Sequence, residues 1–135
     1  MPENGFLTQL KSKSPLLADG AMGTVLHERG VDFARCFDEL NLIKPDLVVS
    51  IHEAYIEAGA QVVMTNTFGA NSFRLAQHGL EDKVEEINQA GVELARRAVK
   101  QSGKDVLVAA DIGPLGVRLA PFGRVQPEQA RAAFE

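Results

Sequence analysis

Three clusters of small and polar residues hold the chemistry this sequence could do: Asp19-Gly20-Ala21-Met22-Gly23-Thr24, Asn66-Thr67-Phe68-Gly69-Ala70-Asn71 and Asp111-Ile112-Gly113-Pro114. Each follows directly on an apolar run. In the first, the Asp19 carboxylate precedes the backbone amides of a helix that begins at Met22. Such a carboxylate either pairs with a ligand ammonium or caps the helix after it. The amides can receive an anion. A carboxylate beside anion-binding amides suits a zwitterionic amino acid. The segment is not a phosphate loop, because no Gly-Lys-[Ser/Thr] follows, and Gly20-x-x-Gly23 does not match the dinucleotide fingerprint. Turn geometry alone also places Gly and Asn after strands.

Other chemistries find less support. Cys36, His27, His52 and His78 are the soft metal ligands of the chain, and their spacings match no zinc pattern. Ser50 and His52 are two apart on one helix and point different ways, so they form no nucleophile–base pair.

The elements that position the clusters alternate. Leu16-Leu17-Ala18, between Pro15 and Asp19-Gly20, reads as a buried strand. Met22 to Arg29 reads as a short helix stopped by Gly30, and residues 31–44 as a loop with at most one irregular turn. Pro45 fits the first position of a helix with Asp46 in its first turn. Leu47, Val48, Ile51, Tyr55 and Ala58 then recur at helical steps until Gly59. Val62 to Thr65 is a second β-prone run, and Asn71 to His78 a short helix stopped by Gly79. From Glu81 to Gln101, Val84, Ile87, Gly91, Leu94 and Ala98 keep one apolar face. Acidic residues open that helix and basic ones close it, which opposes the helix dipole. Val106 to Ala110 is a third apolar run. A Gly- and Pro-rich loop leads to a helix from Pro127, with Ala130, Ala133 and Phe134 expected inward.

Apolar strands alternating with amphipathic helices mean parallel βαβ units, whose strand ends share one ligand-binding face. The 135 residues suffice for one core, with 45% apolar residues and a net charge of −4 from 14 basic and 18 acidic side chains. That mixed, acidic balance offers no basic stripe for nucleic acid. No apolar run approaches the roughly 18 residues of a membrane span, and Met1 to Gly5 lacks the features of a secretory signal. One cysteine fits a reducing compartment. The expectation is a cytoplasmic protein with no nucleic-acid or membrane partner. The last helix carries no stop signal before Glu135, so the reading is either a small open α/β domain or the front of a larger one.

Taken together and in order, the three clusters, with Cys36-Phe37-Asp38-Glu39-Leu40-Asn41 and His52-Glu53-Ala54-Tyr55-Ile56, resemble the homocysteine S-methyltransferase family. The likeness runs from about Leu16 to Glu135. It implies a (β/α)8 barrel, which needs ~250 residues; on that reading 1–15 is a lead-in and 16–135 holds the first three βα units. The implied reaction transfers a methyl group to the homocysteine sulfur to form methionine. A free thiol is mostly protonated at neutral pH, with a pKa of about 8.5, and the family activates it as a zinc thiolate. The zinc cysteines of the family lie on later strands, expected beyond residue 135, and Cys36 does not match them. No catalytic residue is therefore expected in this segment, and the segment alone is expected to be inactive. The resemblance makes Asp19 the partner of the homocysteine ammonium and the amides of Gly20, Ala21 and Met22 the carboxylate site. It places Thr65, Asn66 and Asp111 at the following strand ends. The methyl donor is left open, with methylcobalamin or methyltetrahydrofolate on other domains among the family's donors. The alternatives are a non-catalytic remnant that binds a small molecule or partner, and another barrel enzyme using the same face.

Overall fold

The computed structural model describes residues 5–12 and 15–135. The opening Met1–Asn4, read above as no secretory signal, lies outside the described residues. Helix α1 (Gly5–Lys11) falls within the stretch expected to be only a lead-in. Its Phe6, Leu7 and Leu10 are exposed, so no buried stripe announces it in the sequence.

After α1 the chain runs past Leu16-Leu17-Ala18 into α2 (Met22–Glu28), α3 (Leu40–Ile43) and α4 (Pro45–Glu57). Strand β1 (Val62–Met64) follows, then α5 (Ser72–Ala76). A single 3-10 turn, Glu81–Lys83, leads into the long α6 (Val84–Ser102). Strand β2 (Leu107–Ala109) and α7 (Pro127–Ala132) complete the order. The helix expected from Glu81 thus starts tighter and runs one residue further than its periodicity indicates. Residues 31–44, expected as a loop, contain the one-turn α3.

The strands are parallel, with Val62 opposite Leu107, Val63 opposite Val108 and Met64 opposite Ala109. The first expected strand is reduced to one parallel bridge, Ala18 opposite Val62. It is held by Asp19 N–H to Val62 O at 2.9 Å and Gln61 N–H to Leu17 O at 2.7 Å. Three extended segments therefore lie side by side in chain order, and their carboxyl ends share one edge.

The sheet is covered on one face. Val63 of β1 is fully buried among Val48, Ile51 and Ile56 of α4 and Ala95 and Ala98 of α6, while Met64 on the other face is exposed. This alternation is what a strand with one covered face requires. Glycine ends α4 as the sequence reading expects. Gly59 takes φ +108°, Gly59 N–H bonds Ile56 O, and Ala60 N–H bonds Tyr55 O. That pair of bonds satisfies the last carbonyls of the helix and turns the chain toward β1. Gly30 and Gly79 end α2 and α5 with the same two bonds.

At the other end of the chain the inward expectation holds only in part. Ala130 and Ala133 are partly buried, but Phe134 is 51% exposed. No residue of α7 is buried, because nothing among the described residues packs over its outer side. Among the described residues no helix is long and apolar enough to cross a membrane.

Candidate functional site

The shared strand edge is tied together by short side chains. Asp111 N–H donates to Thr65 Oγ1 at 3.0 Å, and Thr67 Oγ1 donates to Asp111 O at 2.8 Å. Thr65 and Thr67 hydroxyls are 2.6 Å apart. Since the Thr67 proton is committed to Asp111, Thr65 must donate to Thr67, which completes a closed set of bonds. The end of β1 is thereby clipped to the end of β2. Asp19 makes the matching tie on the other side, its Oδ2 accepting Met64 N–H at 3.0 Å. Asp19 does not cap α2: the residue flanking that helix is Ala21, and no side chain caps it.

A second tier of buried amides holds the loop that crosses in front. Asn66 Nδ2 donates to Phe37 O at 2.8 Å and to Asn41 Oδ1 at 3.0 Å. Asn41 Nδ2 returns bonds to Asn66 O at 2.8 Å and Ile87 O at 3.2 Å. Glycine at 91 makes this possible, since a Cβ there would lie 2.6 Å from Thr67 Cγ2 and 3.0 Å from Asn41 Nδ2. The loop after β1 is fixed by Asp38, whose Oδ1 accepts Gly69 N–H at 2.9 Å. Asn71 then caps α5, accepting Arg74 N–H at 3.1 Å and donating to Pro114 O at 3.3 Å.

Between these tiers lies a cavity of about 390 Å³. Of the residues expected at a site, Met22, Thr65, Asn66 and Asp111 line it, whereas Asp19, Gly20 and Ala21 stand beside it. Gly20 is backed by Tyr55, whose hydroxyl donates to Ala21 O at 2.7 Å. A side chain at position 20 would meet that hydroxyl at 2.9 Å. Among the described residues, the amides of Gly20 and Ala21 have no acceptor. The cavity also takes in Cys36, Asp38, Arg35 and Arg74, to which the sequence reading gives no role. Asp38 stands in the Cys36-Phe37-Asp38-Glu39-Leu40-Asn41 segment that carries part of the family likeness. Arg74 stands outside the segments that carry it.

The site is electrostatically acidic at the strand edge. Burial raises the Asp19 carboxyl above its ordinary value and nearby Asp111 adds to the rise, against the Met64 bond. Burial also raises Asp111 and Asp38; for Asp38 the Gly69 bond and the Arg74 charge oppose the rise and Asp111 reinforces it. Burial thus disfavours ionisation of all three carboxyls, and Asp38 also faces the Arg74 charge. One oxygen of Asp19, Oδ1, is shielded from solvent and has no partner among the described residues. A buried acceptor of this kind calls for a donor.

The same residues do not fit a thiolate-rich zinc site. Cys36 is the sole cysteine, and burial pushes its thiol up from its ordinary value, opposite to what a thiolate ligand needs. Among the described residues no three His, Cys, Asp or Glu side chains are grouped to hold a metal ion. His52, fully buried in α4, has a hydrogen-bond partner at neither ring nitrogen among the described residues.

The sequence profile of homocysteine S-methyltransferases matches residues 16–135. The chain belongs to the homocysteine S-methyltransferase family. This family member is 34% identical to a methionine synthase from Mycobacterium tuberculosis (strain ATCC 25618 / H37Rv), over 95% of its own length and 11% of the relative's. It is 32% identical to a methionine synthase from Mycobacterium leprae, again over 95% of its own length and 11% of the relative's. Its fold matches the metallated crystal structure of the homocysteine methyltransferase MmuM from Escherichia coli with a TM-score of 0.69 at 32% identity. That match covers 82% of this chain and 42% of MmuM. The family member thus spans well under half of each relative's length.

Proposed function

We propose that this chain forms the homocysteine-positioning part of an enzyme that transfers a methyl group to the homocysteine sulfur, yielding methionine. On this reading the three parallel segments are the first βα units of a (β/α)8 barrel, and the strand edge is part of its ligand-binding mouth. Family membership supports the reaction. The observation that carries the site assignment is Asp19, with one oxygen held by Met64 N–H and the other buried without a donor.

The residues divide the substrate between them. The Asp19 carboxylate pairs with the homocysteine ammonium, which stays protonated in the field of Asp19 and Asp111. The amides of Gly20, Ala21 and Met22 receive the carboxylate. Thr65 and Asn66 hold the strand end in place, and Asp111 stands at the far side of that end. The side chain then extends toward the cavity with its sulfur facing the incoming methyl group. Zinc supplies thiol activation in such chemistry, and methylcobalamin or methyltetrahydrofolate the methyl group. No residue set described here fits the metal, so no step is assigned through it.

Replacing Asp19 by Asn tests the assignment. The amide oxygen can keep the Met64 bond, while the ammonium loses a charged partner. Homocysteine affinity measured by calorimetry should fall by about 1.5–3 kcal/mol, the scale of a charge-assisted hydrogen bond. Unchanged affinity with a lowered melting temperature would reduce Asp19 to a tie between Ala18 and β1.

A further inference from the structure

Tyr55 reads in the sequence as one more residue on the apolar face of α4, yet a hydroxyl on that face has no packing purpose. It is the only tyrosine of the chain, and its ring packs against the core. The hydroxyl reaches out of the helix and donates to Ala21 O at 2.7 Å, thirty-four positions away. Burial first, then the charges of Asp19 and Glu28, raise this phenol above its ordinary value. It therefore stays protonated and remains a donor.

Gly20 shows how close the approach is. It is not one of the left-handed glycines, so backbone conformation does not demand a glycine there. The ring does. A Cβ at position 20 would lie 2.9 Å from the Tyr55 hydroxyl and 3.1 and 3.3 Å from Cε1 and Cζ. The turn from Asp19 to Ala21 is thus held at both ends. The sheet holds Asp19, through Asp19 N–H to Val62 O and Met64 N–H to Asp19 Oδ2. Helix α4 holds Ala21, through Tyr55. In a trans peptide the carbonyl and the N–H point opposite ways, so drawing Ala21 O toward Tyr55 aims Met22 N–H away from it. Met22 lines the cavity.

We propose that Tyr55 is a positioning residue for substrate recognition, its hydroxyl and ring fixing the turn from Gly20 to Met22 so that the amides meet the homocysteine carboxylate. This rests on the functional reading above and deepens it. Tyr55 touches no substrate atom; it acts through the peptide that follows Ala21. Asp19 has its own ties to the sheet, so the ammonium partner is set without Tyr55. The two charged groups of the amino acid are therefore placed by different elements: the ammonium by the sheet, the carboxylate by α4.

Calorimetric titration of the complete enzyme with homocysteine and with 3-aminopropane-1-thiol separates the two. The second ligand keeps the thiol and the ammonium and lacks the carboxylate. Y55F should weaken homocysteine roughly fivefold, the loss of about one hydrogen bond, and change 3-aminopropane-1-thiol by less than about twofold. D19N should weaken both ligands. G20A, which presses a methyl group against the hydroxyl, should reproduce the Y55F pattern, and adding Y55F to it should cost less than the two losses combined. Where Y55F lowers the melting temperature, the ratio of the two affinities in the folded protein still decides. The proposal is overturned if Y55F weakens both ligands equally or weakens neither. Failure of the unmodified enzyme to bind homocysteine would sink the functional reading and Tyr55 with it, whereas a Y55F effect shared by both ligands sinks Tyr55 alone.

Discussion

Removing the ionisable group at His52 should make the protein more resistant to mild acid. The imidazole is fully buried in α4, with neither nitrogen bonded among the described residues. Burial lowers its pKa from 6.5 to about 4. The unfolded chain takes up a proton as pH falls through 6.5, while the folded protein resists until about 4. Folding stability is therefore fully present above 6.5, declines between 6.5 and about 4, and levels off below. At about 1.4 kcal/mol per pH unit, the loss across that window is about 3 kcal/mol. His52→Leu keeps a similar volume and does not titrate. Urea unfolding of both proteins from pH 7.5 to 4 isolates the effect, because Asp19, Asp38 and Asp111 titrate in both and cancel in the difference. The stability gap should move in favour of the Leu variant by about 3 kcal/mol as pH falls. A gap that stays constant, or a His52 ring resonance that titrates near 6.5, would refute the burial argument.

Two further substitutions probe the framework of the site. Gly91→Ala forces a methyl group against Thr67 and Asn41 and should destabilise by about 1–3 kcal/mol; thermal unfolding checks this, and an unchanged melting temperature would show that α6 can shift outward freely. Thr67→Val leaves the Asp111 carbonyl without this donor and the Thr65 O–H without its acceptor and should cost about 1–3 kcal/mol, with Thr67→Ser costing much less in the same denaturation assay.

What the sequence made legible was local. The stops at Gly30, Gly59 and Gly79 were readable because a left-handed residue after a helix nearly demands glycine, and each forms the expected pair of bonds. Pro45 and the apolar face from Val84 to Ala98 were readable by position and period. The first strand was readable in place but not in extent, since Leu16-Leu17-Ala18 finds a partner on one edge only and pairs at a single bridge. Helix α1 was missed because its apolar residues are not buried, so periodicity carried no weight. At the site, Thr65, Asn66 and Asp111 were readable because parallel strands bring their ends together. Asp38 and Arg74 were not. Asp38 acts through an amide thirty-one positions on, and Arg74 depends on Gly116 in another loop. Such relations exist only after folding.

The helix-ending bonds at Gly59 also bear on where this protein can change. Chain returning from helix to strand spans only residues 58–61 and 103–106, and the first of these carries the left-handed stop and the tie to Leu17. Chain leaving the strands toward the helices spans 65–71 and 110–126, where side chains such as Thr67, Asp38 and Asn71 share the holding with backbone bonds such as Gly113 N–H to Phe68 O and Ala120 N–H to Val125 O. The molecule therefore has one rim that is mechanically committed and one that is chemically adjustable. Sequence variation, natural or engineered, should be accepted on the adjustable rim in whole loops, provided the threonine clip and the Asn41–Asn66 pair are retained. On the committed rim a single inserted residue would rotate the following strand by one side chain and turn Val63 out of the core.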